Sequence, residues 1–169
     1  MPLLKIKVGS EWAYIVTDDD LGLFCAHGSY GTFAYVWPPQ HRSQPLHAFL
    51  ADLDFHYFIR KTRGLTAMEF DFDGTFANLR RCVLNARRTR YIGLEAARDA
   101  WDILDSIDQT NSPDFLAAQI FDETALVQAL GDDWMLEFRD RYCPQCTEFW
   151  RVIWPAFLAK IQAPEAAHG

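Results

Sequence analysis

The sequence predicts an α+β fold, in which an N-terminal antiparallel β-meander of three to four strands packs against a helical C-terminal two-thirds. Residues 3–37 alternate apolar and polar side chains between glycine-containing turns, which is typical of a meander. Further along the chain, apolar side chains recur every three or four positions, which indicates helices. The 169 residues are expected to form a single domain, with the sheet in residues 1–39, the helices in 40–163 and a frayed tail in 164–169.

The composition excludes several classes of protein. Half of the residues are hydrophobic and 15% are aromatic, so the chain is expected to fold rather than to remain disordered. It contains no run of about 18 apolar residues, and no basic segment followed by an apolar one at Met1. We therefore expect a protein without signal peptide or membrane span, located in the cytoplasm, whose four cysteines are reduced.

The first strand is predicted at residues 4–8, where apolar and lysine side chains alternate, since successive side chains of a strand point to opposite faces. Proline cannot donate to a strand ladder, so Pro38-Pro39 is expected to end the sheet. Asp18-Asp19-Asp20 lacks the alternating ligands of a calcium loop, and we interpret it as a solvated turn. The remaining strands are predicted over residues 12–17, 23–27 and 32–37.

One helix is predicted over residues 44–58, because its apolar side chains fall on a single face. Asp52 and His56 lie four positions apart on this segment, and we interpret them as a surface pair rather than as metal ligands or an acid/base pair. Gly64 is expected to end the helix, because glycine adopts the left-handed conformation of a C-cap. The apolar side chains of this helix are Leu46, Phe49, Leu50, Leu53 and Tyr57.

Further helices are predicted over residues 76–90, 94–107, 113–130 and 143–161. Among their apolar side chains, Leu94 is expected to be buried. Ser112 is the predicted N-cap of the third of these helices, with a proline at its first position, and Gly131 is expected to end it. Pro155 is expected to bend or restart the last helix because it lacks a backbone N–H.

The segment Asp71-Phe72-Asp73-Gly74-Thr75 matches the DxDGT signature of haloacid-dehalogenase-type phosphotransferases. In those enzymes the first Asp attacks phosphorus, the second acts as acid/base, and Mg²⁺ bridges them to the phosphate. Such a site also needs a lysine before a late acidic pair, whereas Lys160 is the only lysine after the motif and follows Asp132 and Asp133. We therefore assign no catalytic residue, and we interpret Asp73 or Thr75 as a helix cap. A Mg-dependent phosphohydrolase using Asp71 and Asp73 is the alternative.

Cys143 and Cys146 form a CxxC pair at the start of the last predicted helix. A structural zinc site takes four ligands, and Cys25 and His27 are the residues that remain to complete a set. A redox CxxC follows a strand in a βαβ unit, which the sequence does not predict. We interpret the pair as reduced cysteines without metal or cofactor, and zinc binding is the alternative.

Charge is segregated along the chain, whose formal net charge is −7. Residues 60–90 contain eight basic and three acidic side chains, whereas residues 91–140 contain two basic and twelve acidic ones. Each segment is a candidate surface for a partner. The candidate acidic surface comprises Asp99, Asp102, Asp105, Asp108, Asp132 and Asp133, and the candidate basic surface comprises Arg80, Arg81, Arg87 and Arg88.

Four parts of the sequence together resemble a family of bacteriophage and prophage accessory proteins. They are GSYGTF at 28–33 with Trp37-Pro38, FLAD at 49–52 leading into YFIRKTRG at 57–64, EAARDAW at 95–101, and FWRVIWPAF at 149–157. The resemblance implies a small accessory protein that acts in the bacterial cytoplasm during infection. It supplies no catalytic residues.

From these observations we expect a non-enzymatic protein that binds and inhibits or modulates a host nucleoprotein or defence complex, such as a CRISPR effector. The acidic segment would imitate the phosphates of nucleic acid and occupy a basic channel of the partner. In the alternative, the arginine face binds nucleic acid directly. If the acidic segment is functional, neither free nucleic acid at physiological salt nor a membrane is an expected partner. The oligomeric state stays open, and a virion component would leave no mark in the sequence.

Overall fold

A computed structural model describes residues 3–162, and its elements confirm the predicted α+β fold. Within these residues the chain forms two compact units. The sheet unit consists of residues 3–67 and 142–162, and the helical unit consists of residues 68–141. The assignment of the whole chain to a single domain stays a prediction, and the predicted tail at 164–169 lies outside the described residues.

The sheet unit contains a four-stranded antiparallel sheet with the strand order β1-β2-β3-β4, as the alternating pattern predicts. Its strands are β1 (Leu3–Val8), β2 (Glu11–Asp18), β3 (Leu23–Gly28) and β4 (Gly31–Val36). The register pairs Ile6 with Ala13 and Ala26 with Phe33, and all four side chains are buried. They lie on one face of the sheet, which we call the inner face, and the other is the outer face.

Two helices occupy the stretch where the apolar pattern predicts one, so the single helix predicted over residues 44–58 is wrong. They are α1 (Leu46–Ala51) and α2 (Phe55–Arg63). Asp54 accepts a hydrogen bond from Tyr57 N at 2.9 Å and thereby caps a new helix. Asp52 lies in the link and accepts from Gln44 Nε2, whereas His56 bonds to Tyr142, so the predicted Asp52–His56 pair does not form. The predicted end of α2 is confirmed, because its C-cap Gly64 has φ 55°.

The helical unit consists of helices flanked by two short strands that pair with each other. The helix predicted over residues 113–130 is interrupted, because Asp122 and Glu123 separate two helices. Its predicted ends are confirmed, since Ser112 Oγ accepts from Phe115 N at 3.3 Å and Gly131 follows with φ 84°. The elements are β5 (Met68–Phe70), α3 (Phe72–Arg88), α4 (Leu94–Ser106), α5 (Pro113–Phe121), α6 (Thr124–Leu130) and β6 (Asp140–Tyr142).

The helical unit has an apolar core of its own, to which Leu79 of α3, Leu104 of α4 and Leu116 of α5 contribute fully buried side chains. Leu94, which is predicted to be buried, is instead 50% exposed, and Phe115 of α5 is 56% exposed. Both lie in the first turn of a helix. Because helical side chains lean toward the N-terminus, those of a first turn extend past the end of the helix and away from the core.

The C-terminal part of the sheet unit changes helix type before Pro155. It begins with α7 (Pro144–Glu148), continues as a π-helical turn at Phe149–Ile153, and ends with α8 (Trp154–Gln162). In the π-helical turn, Trp154 N donates to Phe149 O, one residue further back than in an α-helix. The predicted irregularity near Pro155 is thus confirmed, and its form is a wider turn. No helix within residues 3–162 is long and apolar enough to cross a membrane.

Phe58 of α2 is a fully buried ring in the core of the sheet unit. Its ring centroid lies 5.4 Å from that of Phe24 on β3, 4.3 Å from Trp154 and 6.0 Å from Phe149. The core therefore joins the inner face of the sheet to side chains from both chain segments of the unit.

A buried arginine, Arg42, ties the loop after β4 to the turn after β2. Its side chain is 3% exposed, and its Nη2 and Nη1 donate to the backbone oxygen and Oδ1 of Asp19 at 2.7 and 3.2 Å. Its Nε and Nη1 also donate to the carbonyls of Trp37 and Gln44, both at 3.1 Å.

Asp19 itself accepts a hydrogen bond from the backbone N–H of Leu46, at the start of α1. This N–H lowers the pKa of Asp19 most, partial desolvation opposes the shift, and Arg42 lowers the pKa further. Asp19 and Asp20 lie in an exposed turn, as the interpretation of a solvated turn expects, and the Asp19 side chain is 61% exposed. The sequence does not reveal that Asp19 also binds the start of a helix and a buried arginine.

Candidate functional site

The DxDGT segment forms the start of α3. Asp71 Oδ1 accepts a hydrogen bond from Gly74 N at 3.0 Å, so Asp71 is the N-cap and the prediction of Asp73 or Thr75 is wrong. The backbone N of Asp71 donates to Arg139 O at 2.8 Å, and the buried Thr75 Oγ1 accepts from Arg139 N at 2.9 Å. The carboxylate of Asp71 thus caps α3, while its backbone N–H and the hydroxyl of Thr75 hold the start of the helix against Arg139, which precedes β6.

The glycine of the segment has a structural reason as well. A Cβ at position 74 would collide with the carboxylate of Asp71 and displace it from its present position, so Gly74 leaves room for this cap. Among residues 3–162, no group of three His, Cys, Asp or Glu side chains is arranged to hold a metal ion. Lys160 donates to Lys5 O at 2.9 Å within the sheet unit. Asp71, Gly74 and Thr75 of the segment thus each have a structural role at the start of α3.

We expect Asp71→Asn to leave both the fold and the biological activity unchanged, because Asn caps helices about as well as Asp. Asp71→Ala should lower the free energy of unfolding by about 1 kcal/mol, since Gly74 N loses its acceptor. Chemical denaturation of the wild type and both variants measures the free energies of unfolding. Turnover of a generic phosphate ester that is present in the wild type and lost in Asp71→Asn would contradict the capping role and indicate a nucleophile.

The predicted acidic residues lie on different parts of the helical unit. Asp99 and Asp102 are exposed on α4, and Glu95 lies one turn earlier on the same side. We call Glu95, Asp99 and Asp102 the acidic row. Asp105 faces α3 instead, where its Oδ1 lies 2.7 Å from Arg80 Nη2. The other predicted acidic residues are exposed after α4 (Asp108) and after α6 (Asp132 and Asp133).

The acidic row is available to a partner. Within residues 3–162, no other side chain forms a hydrogen bond or ion pair with Asp99 or Asp102. Next to the row, α3 and α4 enclose an apolar groove of about 240 Å³, lined by Leu84, Leu94 and Trp101 among others. Negative charge and apolar surface therefore lie side by side on α4.

The predicted basic residues do not form one free face. Arg80 pairs with an aspartate of α4, and Arg81 Nη2 donates to Asn78 Oδ1 at 2.7 Å. Arg87 is half-buried in the groove between α3 and α4, and Arg88 is exposed. Half of the predicted basic surface is thus engaged within the helical unit, which weakens its attraction for phosphates.

The ligand set considered for zinc does not form. Cys143 and Cys146 are buried in the core of the sheet unit, at the start of α7, with their Sγ atoms 3.5 Å apart. Cys25 and His27 alternate along β3 with the buried Phe24 and Ala26, so they lie on the outer face. The two pairs are therefore on opposite sides of the sheet.

The outer face carries a cluster of rings that the charge pattern does not reveal. Trp12 and Tyr14 lie on β2 and are 39% and 46% exposed, and His27 lies opposite Tyr14 on β3. The ring centroid of Trp12 is 5.3 Å from that of Tyr14 and 6.0 Å from that of His27. The alternation Trp12-Ala13-Tyr14-Ile15 contains the signal, since it places both large rings opposite the buried side chains.

A family model described as a phage family matches residues 3–163, which is nearly the whole chain. No curated protein and no solved structure matches the chain.

Proposed function

Because the chain belongs to a phage protein family, we propose that it is a non-enzymatic accessory protein that binds and inhibits or modulates a host nucleoprotein or defence complex, such as a CRISPR effector. In this role it acts in the cytoplasm of the bacterial host. The acidic row on α4 takes the place of nucleic-acid phosphates in a basic channel of the partner.

The observation that carries this proposal is the location of the net charge. The helical unit, residues 68–141, contains 15 acidic and 8 basic side chains, whereas the rest of the chain contains 8 of each. The formal net charge of −7 is therefore that of the helical unit alone. A unit with such an excess attracts a basic partner over a distance set by the ionic strength.

The acidic row repeats negative charge at intervals of the same order as the phosphates of a nucleic-acid strand, although wider. Its members are four and three residues apart, which corresponds to about 6 and 4.5 Å along the helix axis. A strand in a duplex carries one phosphate for about every 3.4 Å of axis. Arginines and lysines that line a channel for phosphates can therefore reach successive carboxylates of α4.

The groove beside the acidic row adds an apolar contact that charge alone does not supply. Leu84 and Leu94, which line it, are 43% and 50% exposed. Apolar side chains buried at the centre of an interface provide much of the binding free energy, while charges at the rim mainly speed association. The partner is therefore expected to present a basic surface that includes at least one apolar side chain.

The acidic row is tested by reversing its charge. Asp99→Lys combined with Asp102→Lys should weaken binding to the host partner at least tenfold, because two attractive contacts become repulsive. Tagged wild-type protein expressed in the bacterial host identifies the partner, and binding to the purified partner is then measured between about 50 and 300 mM salt. Wild-type affinity should fall with salt, and wild-type protein should compete with nucleic acid for the partner.

The matched control is Asp20→Lys combined with Asp114→Lys, which makes the same change in net charge at exposed positions elsewhere. If both double variants lose the same affinity for the partner, only the total charge matters, and the acidic row is refuted as the contact. A mobility shift with free duplex DNA at about 150 mM salt, abolished by Arg87→Glu and Arg88→Glu, would instead establish direct binding through the arginines.

A further inference from the structure

The outer face of the sheet has a chemistry unlike that of the acidic helical unit. Along the register, Lys5 lies opposite Tyr14, and Tyr14 lies opposite His27, while Lys7 lies opposite Trp12. The Nζ atom of Lys5 is 6.0 Å from the ring centroid of Tyr14. Two cations therefore border the exposed rings on neighbouring strands.

Acidic side chains are scarce on this face. Of the residues of β1 to β4 that alternate onto the outer face, Asp18 at the end of β2 is the acidic one, and it accepts a hydrogen bond from Leu21 N in the following turn. Tyr14 and Trp12 are two and three pairs of residues away from it along the strand, or about 13 Å or more. The ring cluster thus has basic neighbours and a net positive local charge.

Exposed rings next to cations match the chemistry of single-stranded nucleic acid. Unpaired bases stack on aromatic side chains, and the neighbouring phosphates attract lysines. The rings of Trp12 and Tyr14 are tilted by 59° to each other, so they present separate surfaces rather than one stacked pair. We propose that the outer face binds a short single-stranded segment of nucleic acid, with bases on Trp12 and Tyr14 and phosphates near Lys5 and Lys7.

A second copy of this chain fits the face less well. Two-fold pairing of outer faces would bring the Lys5 and Lys7 side chains of both copies into one interface, where like charges repel. A duplex also fits less well, because its bases are stacked on each other and unavailable to the rings. The observations therefore favour a strand with unpaired bases.

The small number of cations sets the expected salt dependence. Two phosphate contacts on a single strand predict a slope of about −1.4 for the logarithm of the association constant against that of the salt concentration. Affinity should thus fall roughly 15-fold between 20 and 150 mM salt. Binding by this face alone is consistent with no detectable complex between the protein and free nucleic acid at physiological salt. Strand binding by this face would add to the affinity for a partner that presents an unpaired strand at high effective concentration.

The test measures fluorescence anisotropy of a dye-labelled oligo(dT) of about 12 nucleotides, titrated with the full chain at 20 mM salt. Wild-type protein should bind the oligonucleotide. Trp12→Ala combined with Tyr14→Ala should lower the affinity about tenfold or more, whereas Trp12→Phe should keep an affinity close to that of the wild type because it keeps a ring. Lys5→Gln with Lys7→Gln should flatten the salt slope toward zero. Tyr91→Ala, which removes a ring that is 71% exposed in the helical unit, is the matched control and should leave the affinity for oligo(dT) unchanged.

Several results would overturn the proposal. One is that the wild type does not bind oligo(dT) at 20 mM salt, and another is that it binds a duplex of the same length with equal affinity. A third is that Tyr91→Ala lowers the affinity as much as the double alanine variant does. Light scattering that shows a dimer dissociated by Trp12→Ala, without strand binding, would make the face a contact between copies. Thermal unfolding of each variant separates loss of the site from loss of the fold, and Trp12→Phe keeps the test valid if the alanine variant unfolds.

Discussion

Phe58→Ala is expected to lower the free energy of unfolding by about 4 kcal/mol, which is the largest effect of any substitution proposed here. The Phe58 side chain is fully buried, and rings from β3, α8 and the π-helical turn surround it. Removing the ring forfeits the transfer free energy of its carbons and leaves a cavity that rigid neighbouring rings cannot fill by small movements. Urea denaturation followed by far-ultraviolet circular dichroism measures the loss.

Tyr57→Ala is the matched control, because Tyr57 is the preceding residue on α2 but is 38% exposed. This substitution should lower the free energy of unfolding by less than about 1 kcal/mol. A loss of under about 1.5 kcal/mol in Phe58→Ala would show that the core repacks, contrary to the close ring packing described above. The same curves test the single-domain prediction, since two independent units would unfold in two steps of which Phe58→Ala shifts only one.

Arg42→Met is expected to lower the free energy of unfolding by about 3 kcal/mol, because backbone acceptors lose a charged donor. Methionine keeps much of the apolar stem but leaves the carbonyls of Trp37 and Gln44 without the donors that now reach them. It also removes the buried partner of the Asp19 carboxylate. Arg88→Met, at an exposed position, is the control and should change stability by less than about 0.5 kcal/mol.

The Arg42 prediction includes a direction with pH. The pKa of Asp19 in the folded protein lies below its ordinary value of 3.8. The ionised carboxylate therefore stabilises the fold at pH values above 3.8, and this stabilisation is lost as the pH falls through the pKa of the folded state. Because Arg42 is one cause of the lowered pKa, the difference in stability between wild type and Arg42→Met should narrow in acid. A difference that stays constant from pH 7 to about pH 2 would show that Asp19 and Arg42 are not coupled.

Local pattern predicted β1 to β4 well, missed the three-residue strands β5 and β6, and placed the helix boundaries less well, for physical reasons. Alternation along a strand is decided by which face is buried, and this is visible within a few residues. The break between α1 and α2 is hidden, because Leu50, Leu53 and Tyr57 keep helical spacing across it. The start of α3 offers several capping side chains, and the hydrogen bond from Gly74 N shows that Asp71 is the one in place. The backbone contact between Asp71 and Arg139, which no local pattern predicts, fixes the chain at this point.

The candidate site was predictable in composition but not in pairing. The excess of acidic residues after position 90 is a property of the sequence, and the structure places Asp99 and Asp102 in the open. That Arg80 is paired with Asp105 depends on how α3 packs on α4, over a separation of 25 residues. No local rule reveals such a pair, and for the same reason charge counts overstate how much of a basic segment is free to bind.

The division of the sheet unit between two chain segments affects how the protein emerges from the ribosome. The strands are complete once residue 36 has been made, but Phe149, Trp154 and Phe157 of their core follow about 110 residues later. At roughly 5–20 residues per second, the inner face waits on the order of ten seconds for these side chains, while the continuous helical unit can fold in the interval. Leu46, Leu50 and Phe58 of α1 and α2 can cover part of the inner face early, but the part that packs against the C-terminal helices stays exposed during most of the synthesis. We therefore expect the nascent chain to bind holding chaperones until α8 has been made.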